Sequence, residues 1–82
     1  MNKLKNWTEV MEGIYRYPTS EHSWYELQVM YRARSTNILM ANAQLYKVDN
    51  SDFEFFQRRF LYDGAIFKCL DKASDDFQKE KK

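Results

Sequence analysis

Hydrophobic positions fall into three stripes along the chain, each advancing by steps of three and four residues. The first presents Trp7, Val10, Met11 and Ile14, and the second Trp24, Leu27, Tyr31, Arg34, Ile38, Ala41, Leu45 and Val48. The third runs through Phe53, Phe56, Phe60, Asp63, Phe67, Leu70, Ser74 and Phe77. Such spacing lines one face of an α-helix, and the two long stripes are heptad-like. Each stripe opens on a helix-start pattern. Asn6-Trp7-Thr8-Glu9, Ser23-Trp24-Tyr25-Glu26 and Ser51-Asp52-Phe53-Glu54 all place a capping oxygen three residues before a glutamate. Pro18 should stop the first helix, because it restricts Tyr17 and offers no amide. Asp49-Asn50-Ser51-Asp52 is a polar connection of the length that joins antiparallel neighbours.

The expected fold is all-α: three helices, a short N-terminal one packed on a long antiparallel helical hairpin. It forms one domain over residues 1–82, with a charged tail, 78–82, that frays. Closure of the hairpin about residue 50 sets Val48 against Phe53, Leu45 against Phe56 and Ala41 against Phe60. Arg34 and Asp63 interrupt the two stripes in adjacent layers, and the expectation is a structural polar layer that fixes register. A strand reading competes. Tyr25, Leu27, Val29, Tyr31 and Ala33 alternate with mostly polar neighbours, Leu39, Ala41, Ala43 and Leu45 make a second such row, and Arg34-Ser35-Thr36-Asn37 would turn between them. That alternative is an α-β-β-α fold with a strand hairpin at residues 24–48. Against it, the only β-branched residues between Trp24 and Val48 are Val29, Thr36, Ile38 and Val48, and no glycine marks the turn.

Composition sharpens the picture at one point. Two Trp, six Tyr and six Phe make the chain 17% aromatic, more than the core of an 82-residue domain easily encloses. Tyr and Trp favour interfaces, where one end of the ring stays wet. Thirteen Lys and Arg against twelve Asp and Glu leave a net charge of +1, far from the strongly basic balance of an obligate nucleic-acid binder. No apolar run has the length of a signal peptide or a membrane span, so the expected setting is cytoplasmic, without a membrane.

Catalytic groupings are scarce. His22 is the only imidazole and Cys69 the only thiol, and the expected hairpin holds them far apart. Gly13 and Gly64 are isolated, so neither builds a phosphate loop. Glu9 and Glu12 with Asp49 and Asp52 have the spacing of helical carboxylate metal sites, but acids three apart are common on solvated helix faces. The expectation is no enzyme, no cofactor and no metal.

What remains is a surface. Tyr15, Tyr17, Tyr25, Tyr46, Phe55 and Tyr62 lie off the stripes, and Arg32, Arg58 and Arg59 stand among aromatic residues. Together they are the candidate partner-binding set. The expected function is a small non-catalytic interaction module, an adaptor, inhibitor or regulator of a protein partner, acting as a homodimer. Protein inhibitors carried by phages and mobile elements have this size and character. The alternative is a nucleic-acid-binding regulator using Arg32, Arg58 and Arg59 for phosphates and the neighbouring rings for stacking.

Overall fold

The computed structural model describes residues 2–31, 38–52 and 55–80, apart from the side chains of residues 31, 51, 52 and 55. Five strands follow one another as an antiparallel meander: β1 (Thr8–Met11), β2 (Ile14–Ser20), β3 (Ser23–Tyr31), β4 (Asn42–Asp52) and β5 (Phe55–Ala65). One long helix, α1 (Ile66–Glu80), leaves the end of β5 and crosses one face of the sheet. Short 3-10 turns at Leu4–Asn6 and Ile38–Met40 precede β1 and β4.

The all-α helical hairpin is thereby overturned. Residues expected in the first helix form the β1–β2 hairpin, and the helix expected to begin at Phe53 begins at Ile66, after a full strand. The α-β-β-α alternative fails on the same flanks, because β1, β2 and β5 take the places of its helices. The physical reason lies in parity. A step of seven residues alternates sides of a strand, so the helical stripes join positions that the sheet separates. Leu27 and Leu45 sit opposite each other under the helix, whereas Trp24 and Val48 sit opposite each other on the other face. The facing pairs expected in a hairpin also dissolve: Leu45 lies opposite Tyr62, and Val48 opposite Arg58.

The helix-start patterns have other uses in the sheet. The Ser23 hydroxyl bonds the hydroxyls of Thr19 and Ser20 at 2.9 and 2.6 Å across the β2–β3 turn. Glu9 sits in β1 and accepts from the Gly13 amide at 3.3 Å, in a turn that needs glycine because its φ is +81°. Ser51, Phe53 and Glu54 fall where side chains lie outside the described residues.

The core forms between the sheet and α1. Ile66, Cys69, Leu70 and Ala73 repeat at helical spacing and are buried against Tyr25, Leu27, Ala43 and Leu45, with Trp7 and Ala41 at the margin. Burying each large apolar side chain contributes roughly 1.5–3 kcal/mol, enough for this contact to override weak strand propensity in β3 and β4. Small residues let the helix come close. Cys69 Sγ is 3.6 Å from the carbonyl oxygens of both Ala43 and Gly64. Gly64 is small for a local reason: a Cβ there would stand 2.7 Å from Cε2 of Tyr62, whose ring lies back over it. Leu61 is an extra residue in β5, between the Leu45–Tyr62 and Tyr46–Phe60 pairs, and this bulge turns Leu61 and Tyr62 toward the core.

Candidate functional site

Register puts two sets of cross-strand rows on opposite faces. Under α1, Tyr17, Tyr25, Lys47 and Arg59 form one row across β2 to β5, and Tyr15, Leu27, Leu45 and Tyr62 form the next. On the other face the rows are Arg16, Glu26, Tyr46 and Phe60, then Pro18, Trp24, Val48 and Arg58. No element among the described residues covers this second face.

At the centre of the uncovered face, Glu26 is buried to 7% exposure and holds two arginines. Its Oε1 is 3.4 Å from Arg16 Nε and its Oε2 is 3.4 Å from an Arg58 terminal nitrogen, while Gln28 Nε2 donates to Oε2 at 3.0 Å. Each guanidinium also lies on a ring. Arg16 is 4.6 Å from the centre of Trp24, and Arg58 is 3.8 Å from the centre of Tyr46. Tyr46 donates to Gln44 at 2.6 Å and meets Phe60 edge-on at 5.8 Å. The assembly Trp24, Arg16, Glu26, Arg58, Tyr46 and Phe60 is therefore a rigid alternation of rings and charges in which one carboxylate serves two cations. Around it stand large apolar side chains in the open: Phe60 at 55%, Phe56 at 58%, Met30 at 59% and Met11 at 66% exposure.

The partner-binding residues expected from sequence divide between the faces. Tyr46 and Arg58 join the open face. Tyr15, Tyr17 and Tyr62 pack against the core, and Tyr25 is fully buried, so these four hold the fold together. The Tyr25 hydroxyl donates to Asp76 of α1 at 2.6 Å, and burial together with that carboxylate pushes its pKa up. Arg59 lies on the helix side, 3.4 Å from Asp76 and 3.5 Å from Glu80. Arg32 and Arg34 lie outside the described residues, as does the side chain of Phe55; Asp63, the expected partner of Arg34 in a polar layer, is exposed on β5 opposite Gln44.

Arg16, Trp24, Glu26, Gln28, Phe56 and Phe60 were missing from the sequence-derived set. Alternation carried the signal: Trp24, Glu26 and Gln28 interleave with the apolar Tyr25, Leu27 and Val29.

The chemistry elsewhere is sparse. Cys69 is buried, with its thiol pushed up to about 11, chiefly by loss of solvent. His22, in the β2–β3 turn, accepts the Asn50 amide at its carbonyl, so it stands roughly 20 Å along β4 from the Ala43 carbonyl that Cys69 contacts. Glu9 of β1 and Asp49 of β4 are three strand spacings apart, roughly 14 Å. Among the described residues no three His, Cys, Asp or Glu side chains gather as a metal ion would require, and no helix is long and apolar enough to cross a membrane. A polar cleft of about 300 Å³ between β4, β5 and the end of α1 is lined by Ser23, Lys47, Asp49, Gln57, Arg59 and Glu80. Both of its cations are tied to Glu80. Compared with protein-family models, curated proteins and solved structures, the chain matches none.

Proposed function

We propose that the protein is a non-catalytic protein-binding module, an adaptor, inhibitor or regulator, whose contact surface is the uncovered face of the sheet. One observation carries this reading: exposed Phe56, Phe60, Met30 and Met11 surround a pre-ordered cluster of Arg16, Glu26, Arg58, Trp24 and Tyr46. Rigid aromatic and arginine side chains in an apolar setting are what binding hot spots are made of, and order before contact lowers the entropy cost of association. A partner of matching chemistry offers apolar side chains to the rim and hydrogen-bond acceptors to the outer nitrogens of the two arginines.

The nucleic-acid alternative draws on Arg58 beside Tyr46 and Phe60, a grouping suited to stacking. Two of its proposed cations, Arg58 and Arg59, are poorly placed for a phosphate chain, however. Arg58 and Arg59 project to opposite faces, and each already neutralises a carboxylate. Phosphate binding would have to break those pairs.

Capture from extract with nuclease treatment separates the two. The expected result is one stoichiometric protein retained by the wild type after nuclease, lost with Phe60→Ser, and weakened only shallowly by salt. Loss of all bound material on nuclease, with affinity falling steeply as salt rises, would replace this reading by the nucleic-acid one.

A further inference from the structure

The sheet ends on two unequal edges. β1 is short, with four residues, as edges that avoid pairing usually are. β5 is eleven residues long, contains neither proline nor lysine, and pairs only with β4 among the described residues. An edge strand of this kind offers a row of free backbone donors and acceptors to another strand.

The side chains of β5 identify the strand that fits. In a continuous sheet, residues facing each other across an antiparallel pair must project to the same side. The bulge at Leu61 makes this a filter for self-pairing, because it excludes registers centred on Phe60 or on Leu61. Before it, Phe56, Arg58 and Phe60 point to the open face while Gln57 and Arg59 point to the helix side; after it, Asp63 and Ala65 point to the open face while Tyr62 and Gly64 point to the helix side. If two copies are centred on Phe60 or on Leu61, the arms bring opposite faces together. Centred between Phe60 and Leu61, they match throughout both arms: Arg58 opposes Asp63, Arg59 opposes Tyr62, Gln57 opposes Gly64 and Phe56 opposes Ala65. Only the central Phe60 and Leu61 pair breaks the rule, and it sits where both strands bulge. The register centred between Leu61 and Tyr62 also matches faces, but it sets Arg58 against Ala65 and Phe60 against Asp63. The one centred between Phe60 and Leu61 is the one that sets a cation against an anion, a cation against a ring and a large side chain against a small one. Asp63 is exposed and makes no ion pair among the described residues, and a guanidinium has donors to spare beyond those given to Glu26.

We propose that β5 pairs with β5 of a second copy of this chain, antiparallel and centred between Phe60 and Leu61, so that Arg58 of each copy meets Asp63 of the other. The product is a two-fold dimer with one continuous ten-stranded sheet, in which the two open faces adjoin. The edge shares Phe56, Arg58 and Phe60 with the face assigned above, but self-association is measured without any other partner, so the dimer stands or falls independently of that reading.

Sedimentation equilibrium with charge exchange tests the register. The wild type should dimerise with concentration, and D63R and R58D should each weaken self-association at least tenfold, since like charges then meet twice. Mixed in equal amounts, the two variants should form a heterodimer, because each Arg then finds an Asp across the seam. A wild type that stays monomeric at millimolar concentration, a D63R protein that dimerises as the wild type does, or two folded variants that fail to associate when mixed would overturn the proposal. R58D sets a new carboxylate beside Glu26, so its fold is checked by circular dichroism. Should it not fold, hydrogen exchange of wild-type β5 decides. Amides of Phe56–Ala65 that lose protection on dilution support the pairing, and protection independent of concentration overturns it.

Discussion

Glu26 is the residue on which the open face depends. Its carboxylate is almost out of water, yet it is not a buried isolated charge, because Arg16, Arg58 and Gln28 all reach it. Removing it leaves the Arg16 and Arg58 guanidinium groups without the carboxylate that neutralises both. Glu26→Ala should therefore cost about 1–3 kcal/mol in denaturant unfolding, and Glu26→Gln less, since the amide keeps the packing and accepts one hydrogen bond. Cys69 makes the opposite case, a group kept neutral by its surroundings. Its folded pKa is raised to about 11, above the ordinary thiol value of 9.0. The unfolded thiol thus ionises first as pH rises, so the associated stability is intact below pH 9 and is lost between there and pH 11. The loss from this residue alone is up to about 3 kcal/mol, and Cys69→Ala should flatten that part of a stability profile measured by urea titration. Tyr25, also raised, adds alkaline sensitivity of the same sign.

Among the elements, α1 contributes both the apolar layer and the clamp that orients it. Its first half is held by Ile66, Cys69 and Leu70 in the core; its second half adds polar contacts to the packing of Ala73 and Phe77. Asp76 receives Tyr25 and Arg59, while Glu80 receives Arg59 and Lys47, whose ammonium lies 4.5 Å over the Tyr25 ring. The clamp converts a non-specific apolar contact into one helix direction across the strands. Tyr25→Phe keeps the buried ring and removes only the hydroxyl, so it should cost about 1–2 kcal/mol in thermal or urea unfolding, with the end of α1 exchanging its amides faster. Trp24 is held less completely. Its Nε1 is buried without a hydrogen-bond partner among the described residues, beneath the Arg16 guanidinium that lies on the ring.

At the scale of the whole molecule, a sheet covered on one side only must leave the other to water or to a partner, and here that side retains aromatic and methionine side chains. The proposed face and the proposed β5 edge meet at Arg58 and Phe60, so dimerisation would double the face rather than compete with it. Both proposals share a low demand on net charge, in keeping with the balance of +1. The surplus of aromatic residues was legible in the sequence, and Tyr46 and Arg58, named there as candidate contact residues, lie on the open face. Their companions on that face were not legible. Glu26 read as a helix cap, and Trp24 and Phe60 as helix core, because a face built from four strands collects residues far apart in the chain.

What the sequence determined by itself was local and compositional: a small folded chain, too aromatic for its own core, with apolar helical spacing through Leu70 and Phe77. The choice between helix and strand for residues 7–65 was not local. Steps of three and four occurred there as well as period two, β-branched residues were few between Trp24 and Val48, and intrinsic preferences differ by less than the energy of burying a Leu or a Tyr. Packing of Ile66, Cys69, Leu70 and Ala73 on Tyr25, Leu27, Ala43 and Leu45 decided it. Once those side chains share one core, alternation sends Arg16, Trp24, Glu26, Tyr46, Arg58 and Phe60 to the other face, and residues that form no motif in the sequence come to share one surface.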